Sequence, residues 1–140
     1  ILINFLKGIN PILRTSKIKI LFETNFKPKK YLKFIKKFDR KFFGINYDIG
    51  NSASYGFNPN EEISLYGKYV NNVHIKDRLY NGKTVPLGQG NADFMSVFKK
   101  LKQISYKGNF ILQGARSKNN QHALVIKEYK NFITKLLKDL

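Results

Sequence analysis

Four short apolar runs, Ile18 to Phe22, Phe43 to Tyr47, Asn72 to Lys76 and Asn109 to Leu112, alternate with segments of helical periodicity. This order constrains the fold more than any other feature, because strands that recur with a helix between them pair in parallel. Between the first two runs, Tyr31, Phe34, Ile35 and Phe38 stand at i, i+3, i+4 and i+7, the stripe of a helix buried along one face. Lys29, Lys30, Lys33, Lys36 and Lys37 fall largely on the opposite face. Asn58 is a predicted cap with Pro59 in the first helical position and Glu61 three residues after the cap, ahead of a buried stripe of Ile63, Tyr66 and Val70. Asp93 caps a predicted third helix, with Phe94, Val97, Phe98 and Leu101 as its apolar stripe. Val125, Tyr129, Phe132, Ile133 and Leu136 line the last helix, and Ile3, Phe5, Leu6 and Ile12 indicate another before the first run. The expected architecture is α/β: a parallel sheet of four strand-helix units in one domain over residues 1–140.

Composition narrows the chemistry. The chain has 140 residues and no cysteine, which excludes disulfides, zinc-thiolate sites and a cysteine nucleophile. Its 26 Lys+Arg against 9 Asp+Glu leave a net charge of +17. Only Arg14, Arg40, Arg78 and Arg116 are arginines, so the charge is carried by lysine, whereas bidentate recognition of phosphates and bases favours arginine. Solvated lysine faces are therefore expected ahead of a nucleic-acid groove. No stretch reaches the length of a membrane span, and no secretion signal precedes the first strand, so the expected location is cytoplasmic. The start at Ile1, without methionine, reads as a segment of a longer protein.

Each strand ends on a polar residue where the apolar pattern implies burial: Glu23, Asp48, His74 and Gln113. In parallel α/β folds, residues at the carboxyl ends of the strands converge on one site. The separations are 25, 26 and 39 residues. The first two suit one strand-helix unit each, and the third includes the turn-rich segment from Asp77 to Asn91, expected as a loop over the site. Glu, Asp and neutral His are a ligand set for Mn²⁺, Zn²⁺ or Mg²⁺, with the Gln113 carbonyl as a fourth, uncharged donor. The turn after Asp48, with Asn51 and Ser52, suits a polyhydroxylated ligand or a phosphate. Lys76 shares one side of its strand with His74, and Lys76 and Arg78 are placed to neutralise a phosphate or to pair with Asp77. Gly88-Gln-Gly90 reads either as a ligand loop or as a tight turn before the Asp93 cap. His122, near the start of the last helix, reads as a surface residue.

Five segments together carry a specific resemblance: Glu23-Thr-Asn, Tyr47-Asp-Ile-Gly-Asn51, Val73-His-Ile-Lys-Asp77, Gly88-Gln-Gly-Asn-Ala-Asp-Phe94 and Phe110-Ile-Leu-Gln-Gly-Ala-Arg116. In order and over nearly the whole chain, they resemble the sugar phosphate isomerase/epimerase family. This is the xylose isomerase-like TIM barrel superfamily, which also includes the endonuclease IV type of apurinic endonuclease. The resemblance implies a (β/α)8 barrel, present here as its second half, strands five to eight, and a metal-dependent isomerase or epimerase of a sugar or sugar phosphate. It implies a divalent metal on Glu23, Asp48 and His74, with Gln113 where the family usually has glutamate; Asn51, Lys76, Arg78 and Arg116 are the expected substrate contacts. In epimerase members two glutamates exchange the proton, the first matching Glu23 and the second falling at Gln113. Glutamine has no titratable carboxylate and cannot be a base. A one-base proton shift through an enediolate, with Glu23 collecting and returning the proton, stays open. The alternatives are a degenerate, sugar-binding or inactive barrel fragment and a DNA-repair endonuclease; the latter resemblance implies a trinuclear zinc site, but only His74 and His122 are at hand. Half a barrel would expose two sheet edges, so association with a missing half or with a second copy is expected.

Overall fold

The structure is a computed structural model and describes residues 1–117 and 119–140. Two short helices, α1 (Leu2–Gly8) and α2 (Asn10–Ser16), precede β1 (Ile20–Phe22), α3 (Pro28–Ile35) and β2 (Phe43–Asp48). Then come α4 (Ile49–Ser54), α5 (Pro59–Tyr66), a 3-10 turn over Gly67–Tyr69 and β3 (Val70–Ile75). The chain continues through β4 (Asp77–Arg78), β5 (Thr84–Val85), α6 (Phe94–Gln103), β6 (Asn109–Leu112) and α7 (His122–Lys138). β1, β2, β3 and β6 form one parallel sheet in that spatial order, while β4 and β5 make a separate antiparallel hairpin.

The sheet sorts its residues by alternation. Ile45, Tyr47, Val73 and Ile75 are buried in a core with Tyr31 and Ile35 of α3, Ile63 and Tyr66 of α5, Val97, Phe98 and Leu101 of α6, and Tyr129 and Ile133 of α7. The intervening positions Asn46, Asp48, Asn72 and His74 therefore face away from this core. In the register, Asn46 lies beside Asn72, Tyr47 beside Val73 and Asp48 beside His74.

Helix starts follow side-chain chemistry. Asn58 accepts from the N–H groups of Asn60 and Glu61, and Asp93 from that of Ser96, as the cap pattern predicts. Elsewhere the sequence expectations need correction. Val70 opens β3 instead of closing the α5 stripe, because the 3-10 turn ends the helix first. The turn expected after Asp48 is the short helix α4, with Ser52 and Ser54 buried. The N-terminal segment forms two helices: Pro11 has no N–H to continue α1, and Phe5 and Ile12 stay exposed while Ile3, Leu6, Ile9 and Leu13 pack against Phe38, Phe42 and Phe43. Ile18 also lies outside β1 and is exposed.

Asp77 anchors the segment after β3. Its carboxylate is fully buried and accepts the N–H groups of Gly88 and Gly90, each at 2.9 Å, and of Ala92, at 3.0 Å. This loop pairing takes the place of the Lys76 or Arg78 partnership expected as the alternative to a phosphate contact. It also explains Gly90, where a Cβ would overlap the Asp77 carboxylate, and Gly88, whose φ of +83° favours glycine. An Asp77→Ala variant leaves these N–H groups without their acceptor, so urea unfolding should show a loss of about 2–4 kcal/mol.

Candidate metal centre

Glu23 directly follows β1, Asp48 ends β2 and His74 is the fifth residue of β3. The parallel register draws these three strand ends together, so that Glu23, Asp48 and His74 each offer one donor atom within 4.8 Å of the others. His74 Nδ1 is 3.5 Å from Glu23 Oε2 and 3.8 Å from Asp48 Oδ2. Donors arranged tetrahedrally at about 2.1 Å from one ion sit about 3.4 Å apart. Two carboxylates and an imidazole with this spacing fit one divalent cation.

Asp48 serves both the fold and the cluster. Its Oδ1 accepts the Asn51 N–H at 2.7 Å, capping α4, and its Oδ2 faces His74 and Lys76, whose Nζ lies 3.5 Å away. Burial pushes the Asp48 carboxyl above its usual pKa; the Asn51 N–H and the Lys76 ammonium oppose this without cancelling it. A cation at the cluster would favour the charged form that burial penalises.

The Glu23 carboxylate is held at both oxygens. Asn46 Nδ2 donates to Oε2 at 2.6 Å and Asn51 Nδ2 donates to Oε1 at 2.8 Å. Asn46 and Asn72 were not singled out from the sequence. The available signal was alternation: each stands two residues before a candidate ligand, Asp48 or His74, and so shares its face of the sheet.

The other expected site residues are distributed as follows. Asn51 and Lys76 join the cluster through Glu23 and Asp48. Arg78 reaches it through Asn51, donating from Nη1 to Asn51 Oδ1 at 2.8 Å, while its Nε and Nη2 donate to the Gly82 carbonyl. Gln113 follows β6, its N–H bonded to the Ile75 carbonyl. With Arg116 and His122 it lines a cleft between the loop after β6 and α7, apart from the small cavity beside Glu23. His122 is exposed, as expected, and its Nδ1 accepts the Ser117 N–H at 3.3 Å.

That small cavity has a second wall that sequence reasoning missed. Glu62 of α5, only 2% exposed, accepts at Oε2 from Tyr47 at 2.8 Å and from Ser52, and at Oε1 from Tyr66. Burial raises the Glu62 carboxyl above its ordinary pKa, although the three hydroxyls pull the other way. A carboxyl that binds its proton more tightly when folded contributes most stability below the ordinary carboxylate range, and this is lost as pH rises through the raised value. Thermal melts should therefore show stability falling over that window, and Glu62→Gln should flatten the decline; an unchanged slope would contradict the raised value.

Against this geometry, the family model for the xylose isomerase-like TIM barrel matches residues 2–136. The chain belongs to that family. The Haemophilus influenzae protein SgbU, provisionally named an L-ribulose-5-phosphate 3-epimerase, is 32% identical over 98 residues, which cover 65% of this chain and 34% of that protein. A crystallised xylose isomerase domain protein from Planctomyces limnophilus superposes with a TM-score of 0.84 at 25% identity, over 99% of this chain and 53% of that one. The IOLI protein, solved with a bound zinc atom, shares the fold at a TM-score of 0.79 and 17% identity, over 98% of this chain and 55% of that one. The chain spans about a third of the length of the curated relatives it matches. Among the described residues, no helix is long and apolar enough to cross a membrane.

Proposed function

We propose that this chain carries the metal-binding half of a sugar or sugar-phosphate isomerase/epimerase active site. The observation that carries the reading is the convergence of Glu23, Asp48 and His74 within 4.8 Å at three adjacent parallel strand ends. Support for the substrate class comes from relatives named L-ribulose-5-phosphate 3-epimerase. In this reading Glu23, Asp48 and His74 hold a divalent cation, with Mn²⁺ or Zn²⁺ favoured by a mixed carboxylate and imidazole set and Mg²⁺ less so. Such an ion supplies a Lewis acid that polarises a sugar carbonyl.

The remaining chemistry belongs to the chain itself. Glu23 removes the proton from the carbon beside the carbonyl and returns it to the neighbouring carbon of the resulting enediolate, the former carbonyl carbon, which is an aldose-ketose isomerisation. Gln113 has no carboxylate and lines the separate cleft with Arg116, so Glu23 alone moves the proton. Lys76 and Arg116 bring positive charge to the strand ends, suited to a phosphorylated substrate. We further propose that the four-stranded sheet is one half of an eight-stranded barrel. This is supported by the coverage of 53% of the Planctomyces limnophilus chain and by β1 and β6 each having one unpaired edge. The other half would come from a separate segment or a second copy.

Incubating the purified protein with Mn²⁺ and L-ribulose 5-phosphate in D₂O tests this directly. Deuterium entering at C3 or at C1 marks the carbon that is deprotonated; inversion at C3 of the recovered sugar marks epimerisation, and the aldose product marks isomerisation. Glu23→Gln should slow either exchange at least about 100-fold; undiminished exchange would remove Glu23 as the base.

A further inference from the structure

We infer that Asn46 and Asn51 are a pair of positioning residues for Glu23, and that Arg78 acts through Asn51 to couple the turn between β4 and β5 to that carboxylate. The inference rests on the reading of Glu23 as metal ligand and base. It follows from which way each amide must face. An amide end cannot be assigned by shape alone, only by the partners around it. Arg78 is a donor without acceptor capacity, so the Asn51 atom 2.8 Å from its Nη1 is the carbonyl oxygen. The Asn51 NH₂ is thereby turned onto Glu23 Oε1, at 2.8 Å.

On the other oxygen the logic runs outward from the carboxylate. Ionised Glu23 only accepts, so the Asn46 atom 2.6 Å from Oε2 is its NH₂. Asn46 Oδ1 then faces Asn72, whose NH₂ donates to it at 2.7 Å. Each oxygen of Glu23 thus receives one amide, and each amide is locked by a further donor. The Asn46 NH₂ also lies 3.1 Å from His74 Nδ1, so the same group borders a second member of the cluster.

The two chains of contacts are anchored differently. Asn72 belongs to β3, inside the sheet, whereas Arg78 also grips the Gly82 carbonyl with Nε and Nη2. The orientation of Glu23 Oε1 is therefore tied to a turn beyond the sheet. Outer partners of metal ligands fix ligand geometry and commonly carry a large share of the affinity.

The experiment is a calorimetric Mn²⁺ titration of the purified protein and of variants whose folding is checked by thermal melting. Asn51→Ala should weaken Mn²⁺ binding about 10-fold, and so should Asn46→Ala on the opposite oxygen. Arg78→Met should weaken it about threefold in the wild-type background and by less than about twofold when Asn51 is already alanine, because a residue that acts through another has nothing left to orient. Equal losses from Arg78→Met in both backgrounds would overturn the coupling. Unchanged affinity in both asparagine variants, with Glu23→Gln still weakening Mn²⁺, would overturn the positioning roles alone. If Glu23→Gln itself left Mn²⁺ affinity unchanged, the metal-site reading would fail with them. Should Asn51→Ala not fold, Asn46→Ala and Asn72→Ala, alone and combined, apply the same cycle to the other oxygen.

Discussion

The register of β2 against β3 is the constraint on which the site depends. Asn46 lies beside Asn72 and Asp48 beside His74, so one face of two adjacent strands carries four polar side chains in two rows. The other face places Tyr47 beside Val73 in the core. A slip of one residue would send the polar rows into the core and Tyr47 and Val73 out of it. The burial that stabilises the sheet thus also fixes the separation of Asp48 and His74. Glu23 joins them because Phe22, which pairs with Ile45, packs against Phe34, Phe38 and Phe43 and leaves the next residue beside Asn46.

The net charge of +17 takes on a structural meaning in this arrangement. Of the 9 acidic residues, Glu23 and Asp48 form the cluster, Glu62 and Asp77 are buried in hydrogen-bonded networks, and Asp93 caps α6. Few carboxylates are left to face the lysines. Among the described residues, Lys76 is the lysine that reaches an Asp or Glu side-chain oxygen within 4.0 Å, and it does so inside the site, at Asp48. Two of the carboxylates thus stand at one end of the sheet and two at buried anchors, while lysines line the exposed faces of the helices. A cation at the strand ends would meet the Glu23 and Asp48 carboxylates at shorter range than the screened surface lysines, with Lys76 as the opposing charge beside Asp48.

Much of this was legible in the sequence for identifiable reasons. Short apolar runs recurring between helical stripes pointed to the four parallel strands and the long helices, and Asn58 and Asp93 announced two helix starts through their side chains. Glu23, Asp48 and His74 were visible as polar residues at the ends of apolar runs. The β4–β5 hairpin was not, because strands of two residues have no periodicity. Nor was the Glu62 cluster: Tyr47 and Ser52 are brought to Glu62 by the packing of α5 on the sheet, a contact across 10 to 15 residues that no local pattern encodes. Asn46 and Asn72 were legible in principle, since alternation places them behind the ligands, but asparagine in a lysine- and asparagine-rich chain carries little signal. Asp77 was visible as a charged strand end, and only the fold revealed backbone N–H groups as its partners.

The most direct measurement is X-ray diffraction from crystals of the protein soaked in Mn²⁺, with anomalous data collected near the manganese absorption edge. The expected result is one anomalous peak about 2.0–2.3 Å from a donor atom of each of Glu23, Asp48 and His74. A peak elsewhere on the molecule, or an ordered and accessible cluster without one, would contradict the assignment of these three strand ends as a metal centre.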